Sequence, residues 1–327
     1  MSDDARWMQL ALDAAERGRG TTSPNPMVGA VIVRDGVVIA TGFHARAGGP
    51  HAEVVALEVA GEFARGATMV VTLEPCCHTG RTGPCTEAVI SAGVRRVVVG
   101  ATDPNPRVSG GGIEALRRAG VEVVAGVLAA QCEAQNEAFR HWISSGRPFV
   151  TLKLAQSLDG RIATASGDSR WVSGAEARAE VHTMRAEHDA VMVGSGTALA
   201  DNPQLTARDV AAPGGQPMRV LVDGGLRVPL ESRLFDDAAS VGVFVATALP
   251  EDHPAAQARA ARGAQVLSLP SASGEPDRVD LVGLLDALGA AQPRPVTSLM
   301  VEGGGGLAAA LVKAGRVDRL RLYVAPR

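Results

Sequence analysis

Between His51 and Cys85 the chain sets histidine, glutamate and cysteine side chains at the ends of regularly patterned segments. His51-Ala-Glu53 heads an apolar-periodic run, Pro75-Cys76-Cys77-His78 follows a strand-like run, and Pro84-Cys85 heads the next periodic run. Three of the four cysteines fall in this window. Cysteines clustered with a histidine in such a chain read as metal ligands rather than disulfides. Three soft ligands plus a carboxylate that need not ligate is the donor chemistry of a catalytic zinc site. The first half must therefore fold so that these element ends meet.

The surrounding pattern is α/β. Residues 3–17 carry apolar positions at helical spacing, Pro24 and Pro26 stop that helix, and 28–33 read as a buried strand. Asp35-Gly36 is a hairpin turn into a second strand over 37–42. Helices are expected over 51–60, 86–92 and 113–119, alternating with strands over 68–73, 96–100 and 121–125. This alternation predicts a sheet with helices on its faces. Residues 128–144 read as one closing helix, and Ser144-Ser145-Gly146-Arg147-Pro148 as the boundary between domains over 1–146 and 147–327. A second α/β pattern follows, with strands over 149–155, 190–194, 219–223, 241–247, 265–269, 298–302 and 319–325. Its helices are expected over 174–188, 281–290 and 307–314.

A length of 327 residues accords with two domains, and 46% hydrophobic residues supply their cores. A net charge of -3 and 3% aromatic content leave neither the basic excess nor the stacking platforms of a nucleic-acid binder. The N-terminus lacks a signal-peptide pattern and no apolar run reaches membrane-spanning length, so a cytoplasmic protein without membrane contact is expected.

His51, Cys76 and Cys85 would leave one tetrahedral zinc position for water, with Glu53 free to move its proton. Helix starts favour the thiolates that zinc needs. The order H-x-E then P-C matches the signature of zinc deaminases, whose glutamate is the acid/base and not a ligand. In that signature the second cysteine comes three positions after the first; here Cys85 is nine positions after Cys76, and Cys77 intervenes. A closed structural site using Cys76, Cys77 or His78, and Cys85 is the alternative on residue types alone. Cys132 lies alone on a helical face.

SPNPMVGAVIV, HAEVVAL and TLEPCCHTGRTGPC, in this order, resemble the deaminase half of the bifunctional riboflavin-pathway RibD family, whose cysteine loop has the longer spacing seen here. The resemblance implies an N-terminal cytidine-deaminase-like three-layer αβα domain followed by a dihydrofolate-reductase-like α/β domain. It implies zinc on His51, Cys76 and Cys85, Glu53 as proton carrier, and Cys77 as a bystander where the family usually has serine. Asn25 and His44 would line the base pocket, and His78 and Arg81 would meet the substrate phosphate. The implied substrate is a small phosphoribosylaminopyrimidine, and a homo-oligomer, dimer or larger, is expected.

In the second half two strand-glycine stretches stand out, 191–201 and 299–311. Such loops hold phosphate through backbone N–H groups and the helix dipole, or serve only as tight connections. KLAQSLDGRIA, SRWVSG, GTALADNPQLTAR and VEGGGG resemble the family's reductase domain. By that resemblance Ala155, Trp171, Thr197, Asp201, Gly304, Gly305 and Gly306 contact NADPH. Ser169, Arg185, Leu205, Arg208 and Glu302 contact the ribosyl phosphate substrate. The family continues past Tyr323-Val-Ala-Pro with another loop and strand, so the reductase half is expected to lack its closing edge strand. The rival readings are a deaminase with a vestigial reductase, a tRNA-adenosine-type deaminase, and a zinc-stabilised non-catalytic regulator.

Overall fold

The structure, a computed structural model, describes residues 2–78, 83–105, 108–162, 174–271 and 274–326. It divides into two compact units, Met1–Ser145 and Gly146–Arg327.

The first unit has strands β1 (Gly29–Arg34), β2 (Val37–Phe43), β3 (Thr68–Leu73), β4 (Arg96–Ala101) and β5 (Glu122–Ala125). Its helices are α1 (Asp3–Glu16), α2 (Ala52–Ala60), α3 (Cys85–Ser91), α4 (Gly111–Arg118), α5 (Ala129–Gln135) and α6 (Glu137–Ser145). The sheet runs β2-β1-β3-β4-β5. β1 is antiparallel to both β2 and β3, whereas β3, β4 and β5 are parallel. Asp35 and Gly36 both take positive φ, 51° and 79°, as the tight hairpin requires.

Alternation along the strands builds two cores. Ile32, Met69, Val71, Val97 and Val99 face Ala56, Val89 and Leu116 of α2, α3 and α4. Val31, Val33, Val70 and Val98 face Met8, Ala11 and Cys132 of α1 and α5. The sheet is thus covered on both faces, the expected αβα arrangement, and Cys132 is a core residue. At Gly42 a Cβ would stand 2.3 Å from the Ala52 carbonyl oxygen and 2.5 Å from the Ala56 nitrogen. Glycine there lets α2 lie directly on β2 and brings its N-terminus to the sheet.

The single helix expected over 128–144 is broken. Asn136 leaves helical geometry at φ −109° and ψ 24° between α5 and α6. Its buried amide accepts the Met27 N–H at 2.8 Å and donates to the Met27 carbonyl at 2.8 Å. One side chain so pairs both main-chain groups of the proline-rich segment, which has no ladder partner of its own there.

The second unit has β6 (Phe149–Ser157), β7 (Ala190–Gly194), β8 (Met218–Val222), β9 (Val243–Thr247), β10 (Ala264–Ser268), β11 (Ser298–Val301) and β12 (Arg319–Ala325). They form one sheet in the order β10-β9-β8-β7-β11-β6-β12, and each of these strand pairings is parallel. Its helices are α7 (Ala175–Glu187), α8 (Ser195–Asp201), α9 (Ala238–Val241), α10 (Pro254–Ala261), α11 (Leu281–Gly289) and α12 (Gly305–Lys313). Both faces are buried: Ala190, Met192 and Val220 pack with Leu284, Leu288 and Leu311, and Val191, Val193 and Leu221 with Val181, Ala198 and Ala256. Double-sided burial explains why β7, β9 and β11 read as largely apolar runs.

After β7 the chain winds outward through β8 to β10, then returns to insert β11 between β7 and β6 before β12. The crevice beyond the carboxyl ends of β7 and β11 is a topological switch point, the place where open parallel sheets bind ligands.

Candidate active sites

In the first unit, three element ends meet. His51 is the N-cap of α2, Cys85 opens α3 directly after Pro84, and Cys76 lies just past β3. His51 Nδ1 stands 3.0 Å from Cys85 Sγ and 3.6 Å from Cys76 Sγ. The three donor atoms all lie within 4.8 Å of one another. No other His, Cys, Asp or Glu trio among the described residues makes such a group. Across a tetrahedral zinc an imidazole nitrogen and a thiolate sulfur stand roughly 3.6 Å apart, so the donor set fits that ion.

The electrostatics suit a cation. Cys76 Sγ accepts the Cys85 N–H at 3.3 Å. Hydrogen bonding from Cys85 first, and from His51, holds the Cys76 thiol down to about 4. The Cys85 thiol is pushed up, first by the neighbouring Cys76 sulfur and then by burial. A coordinated dication would take both as thiolates. His51 is raised above the ordinary histidine range, mainly by its hydrogen bond to Cys76.

Glu53, 4% exposed, lies in the first turn of α2 and shares a hydrogen bond with Cys85. Burial holds its carboxyl above the usual carboxylate range. It is not one of the three clustered donors, and a buried carboxyl with a raised pKa is suited to carrying a proton in both directions.

Asn25 and His44 meet beside this cluster. Pro50 O, which can only accept, lies 2.9 Å from His44 Nδ1, so that nitrogen carries the proton. Nε2 then accepts from Asn25 Nδ2 at 3.1 Å. Burial keeps the His44 ring neutral by lowering its pKa. The ring stands edge-on to His51, with centroids 5.6 Å apart. Cys77 is half-buried outside the donor trio and His78 is exposed on the same loop. Arg81 lies outside the described residues, as do Ser169 and Trp171.

In the second unit the two glycine stretches come together at the switch point. Thr197, in the first turn of α8, accepts the Gly304 N–H through Oγ1 at 3.0 Å. Gly304 is the N-cap of α12, and Gly305 and Gly306 form its exposed first turn. Next to them Arg185 and Glu302 make a two-point pair, Nε to Oε1 at 2.6 Å and Nη2 to Oε2 at 2.8 Å. Thr206 joins the two arginines: its carbonyl accepts from Arg185 Nη1 and its hydroxyl from Arg208 Nη1, each at 3.0 Å. Ala155 lies on β6 opposite Tyr323 of β12. Asp201 is exposed at the end of α8. Leu205 buries its side chain in the core with φ 55°, so any ligand contact it makes is through its main chain.

Lys153 was not anticipated. It lies on β6 with its ammonium 5.7 Å from the centroid of Tyr323. Burial lowers its pKa, and the Glu302 carboxylate opposes that shift. Its only sequence signal is a lysine between two leucines in a parallel strand, a position normally occupied by an apolar side chain.

Residues 148–327 match the RibD C-terminal domain family, and residues 1–101 match the cytidine and deoxycytidylate deaminase zinc-binding region. The chain is 43% identical over 324 residues to the riboflavin biosynthesis protein RibD of Actinobacillus pleuropneumoniae, covering 99% of this chain and 84% of that one. To RibD of Escherichia coli it is 42% identical, covering 99% and 88%. Among solved structures, Acinetobacter baumannii RibD superposes with a TM-score of 0.88 at 40% identity, covering 99% of this chain and 87% of that chain. A diaminohydroxyphosphoribosylaminopyrimidine deaminase/5-amino-6-(5-phosphoribosylamino)uracil reductase from Thermotoga maritima superposes with 0.86 at 38%, again over 99% and 87%. The likeness spans both the donor cluster of the first unit and the paired glycine loops of the second, so the chain belongs to the RibD family of bifunctional deaminase–reductases.

Proposed function

We propose that the first unit hydrolyses the C2 amino group of 2,5-diamino-6-(5-phosphoribosylamino)pyrimidin-4(3H)-one, and that the second reduces the ribosyl group of the product to ribityl with NADPH. The observation that carries the reading is the meeting of His51, Cys76 and Cys85 beside the buried Glu53. In it the three side chains hold a zinc ion, which when bound acidifies a water towards neutrality. Glu53 takes one proton from the attacking water and passes it to the ring nitrogen as the C–O bond forms, then carries the proton of the new hydroxyl to the amino nitrogen, which leaves as ammonia. Asn25 and the neutral His44 line the base, and His78 and Arg81 receive the phosphate.

In the second unit the N-terminus of α12, with Thr197, holds the cofactor's phosphates. Ala155, Trp171 and Asp201 complete the NADPH contacts. Arg185 and Arg208, side by side through Thr206, bind the substrate phosphate, with Ser169, Leu205 and Glu302 around it. Lys153 stands among these groups as a further polar contact for the sugar.

No helix among the described residues is long and apolar enough to cross a membrane. A cytoplasmic homo-oligomer, dimer or larger, belongs to this reading. Leu320, Leu322 and Val324, all exposed on one face of the edge strand β12, support the oligomer.

The test follows both reactions in one vessel. With the zinc-loaded chain, the diaminopyrimidine and NADPH, ammonia release is expected first and NADPH oxidation after a lag. With the deaminated product, NADPH is expected to be consumed without ammonia. Ammonia release with no hydride consumption from either starting compound would mean a deaminase with an inactive second unit.

A further inference from the structure

Glu74 is a buried carboxylate for which the proposed deamination has no direct use. It is 3% exposed and lies between β3 and Cys76. Its Oε1 accepts the N–H groups of Gly112 at 2.9 Å and Ile113 at 3.1 Å. Its Oε2 accepts those of Gly110 at 2.9 Å and Asp103 at 3.3 Å. Three of these four donors belong to the N-terminus of α4, whose own cap, Gly110, has no side chain to offer. Glu74 therefore caps α4 from a distant part of the chain, and its charge opposes the positive end of the helix dipole.

The cap is also a clamp on the cysteine loop. A Cβ on Gly112 would stand 2.0 Å from the Pro75 carbonyl oxygen, and one on Gly111 would stand 2.9 Å from Cys77 Sγ. α4 thus abuts Pro75–Cys77 with no room for a methyl group. On the other side α3 holds Cys76 directly: Thr86 N–H donates to the Cys76 carbonyl at 3.2 Å, and Cys85 N–H donates to its sulfur at 3.3 Å. Cys76 is fixed between two helix N-termini, that of α3 by contact and that of α4 through Glu74.

We propose that Glu74 is a positioning residue of the zinc centre, locking Pro75–Cys77 onto α4 so that Cys76 Sγ points at the metal. The proposal rests on the zinc-deaminase reading of the same site. Two variants of the full chain separate it from a role in stability alone. Glu74→Gln keeps the shape but removes the charge and one acceptor oxygen. Gly112→Ala displaces Pro75 and leaves the carboxylate intact. The readouts are zinc affinity by competition with a chromophoric chelator, the thiolate-to-metal absorption of the cobalt(II)-substituted protein, kcat and KM for ammonia release, and NADPH turnover by the second unit as a control.

Both variants are expected to bind zinc about 10–100-fold more weakly, the usual cost of losing an outer support of a metal ligand. Both should shift the cobalt absorption and lower kcat more than they raise KM, with NADPH turnover unchanged. Glu74→Asp, which restores the charge, should recover part of the affinity. Wild-type zinc affinity, cobalt absorption and kcat in Glu74→Gln, with only a lower melting temperature, would reduce Glu74 to a helix cap and overturn the proposal. If Glu74→Gln does not fold, the same wild-type values in Gly112→Ala overturn it. A wild-type chain that neither binds zinc nor releases ammonia overturns the underlying reading, and this proposal with it.

Discussion

Glu53→Gln is expected to lower kcat for ammonia release by about 10²–10⁴-fold, the range for removing a general acid–base group, while zinc content and NADPH turnover stay at wild-type levels. Gln fills the same buried volume and can still hydrogen-bond to Cys85, so the His51–Cys76–Cys85 cluster keeps its geometry. It cannot accept a proton from water and return it to nitrogen. Glu53 suits that task because burial raises its pKa, so the proton it takes is readily held and released. Metal analysis beside a steady-state ammonia assay checks the result. A Gln variant with both its zinc and full activity would remove Glu53 from the chemistry.

Glu302→Ala should disable the second unit for a different reason. Glu302 and Arg185 form a two-point ion pair, with side-chain exposures of 11% and 12%. Removing the carboxylate leaves a guanidinium in a low-dielectric pocket with the Thr206 carbonyl as its remaining acceptor among the described residues. Breaking one side of such a pair costs about 3–5 kcal/mol, whereas replacing both sides with apolar groups is often near neutral. The double variant Arg185→Leu/Glu302→Leu should therefore regain most of the stability that Glu302→Ala loses, measured as a urea midpoint on the full chain. It should not regain NADPH turnover, because the cation proposed for the substrate phosphate is gone. Turnover restored together with stability would show that Arg185 and Glu302 serve only the fold.

How much of this was legible in the sequence depends on range. His51, Glu53, Cys76 and Cys85 could be named because each sits at the end of an element, and element ends carry local signals such as the helix-starting Pro84. The parallel strands were legible as apolar runs for the same local reason. The order β7-β11-β6 was not, because no residue near Ser298 announces that its strand inserts between two others. Thr197 and Gly304 were each named by resemblance, but their contact follows only from that insertion. The break at Asn136 was missed because its partner, Met27, lies 109 residues away. α10 escaped because Pro254–Ala261 is mostly alanine and shows little apolar periodicity, although Pro254 stands in its first turn. Glu74 read as one more residue of the cysteine motif; its four N–H donors lie 29 to 39 positions onward.

The two-reaction account is tested most directly by stripping metal from the full chain with a chelator and assaying both reactions on the same sample. Ammonia release is predicted to fall to background and to return with added zinc, while NADPH-dependent reduction of the deaminated product continues at its original rate. Ammonia release that persists without metal, or reduction that falls and recovers together with zinc, would contradict it.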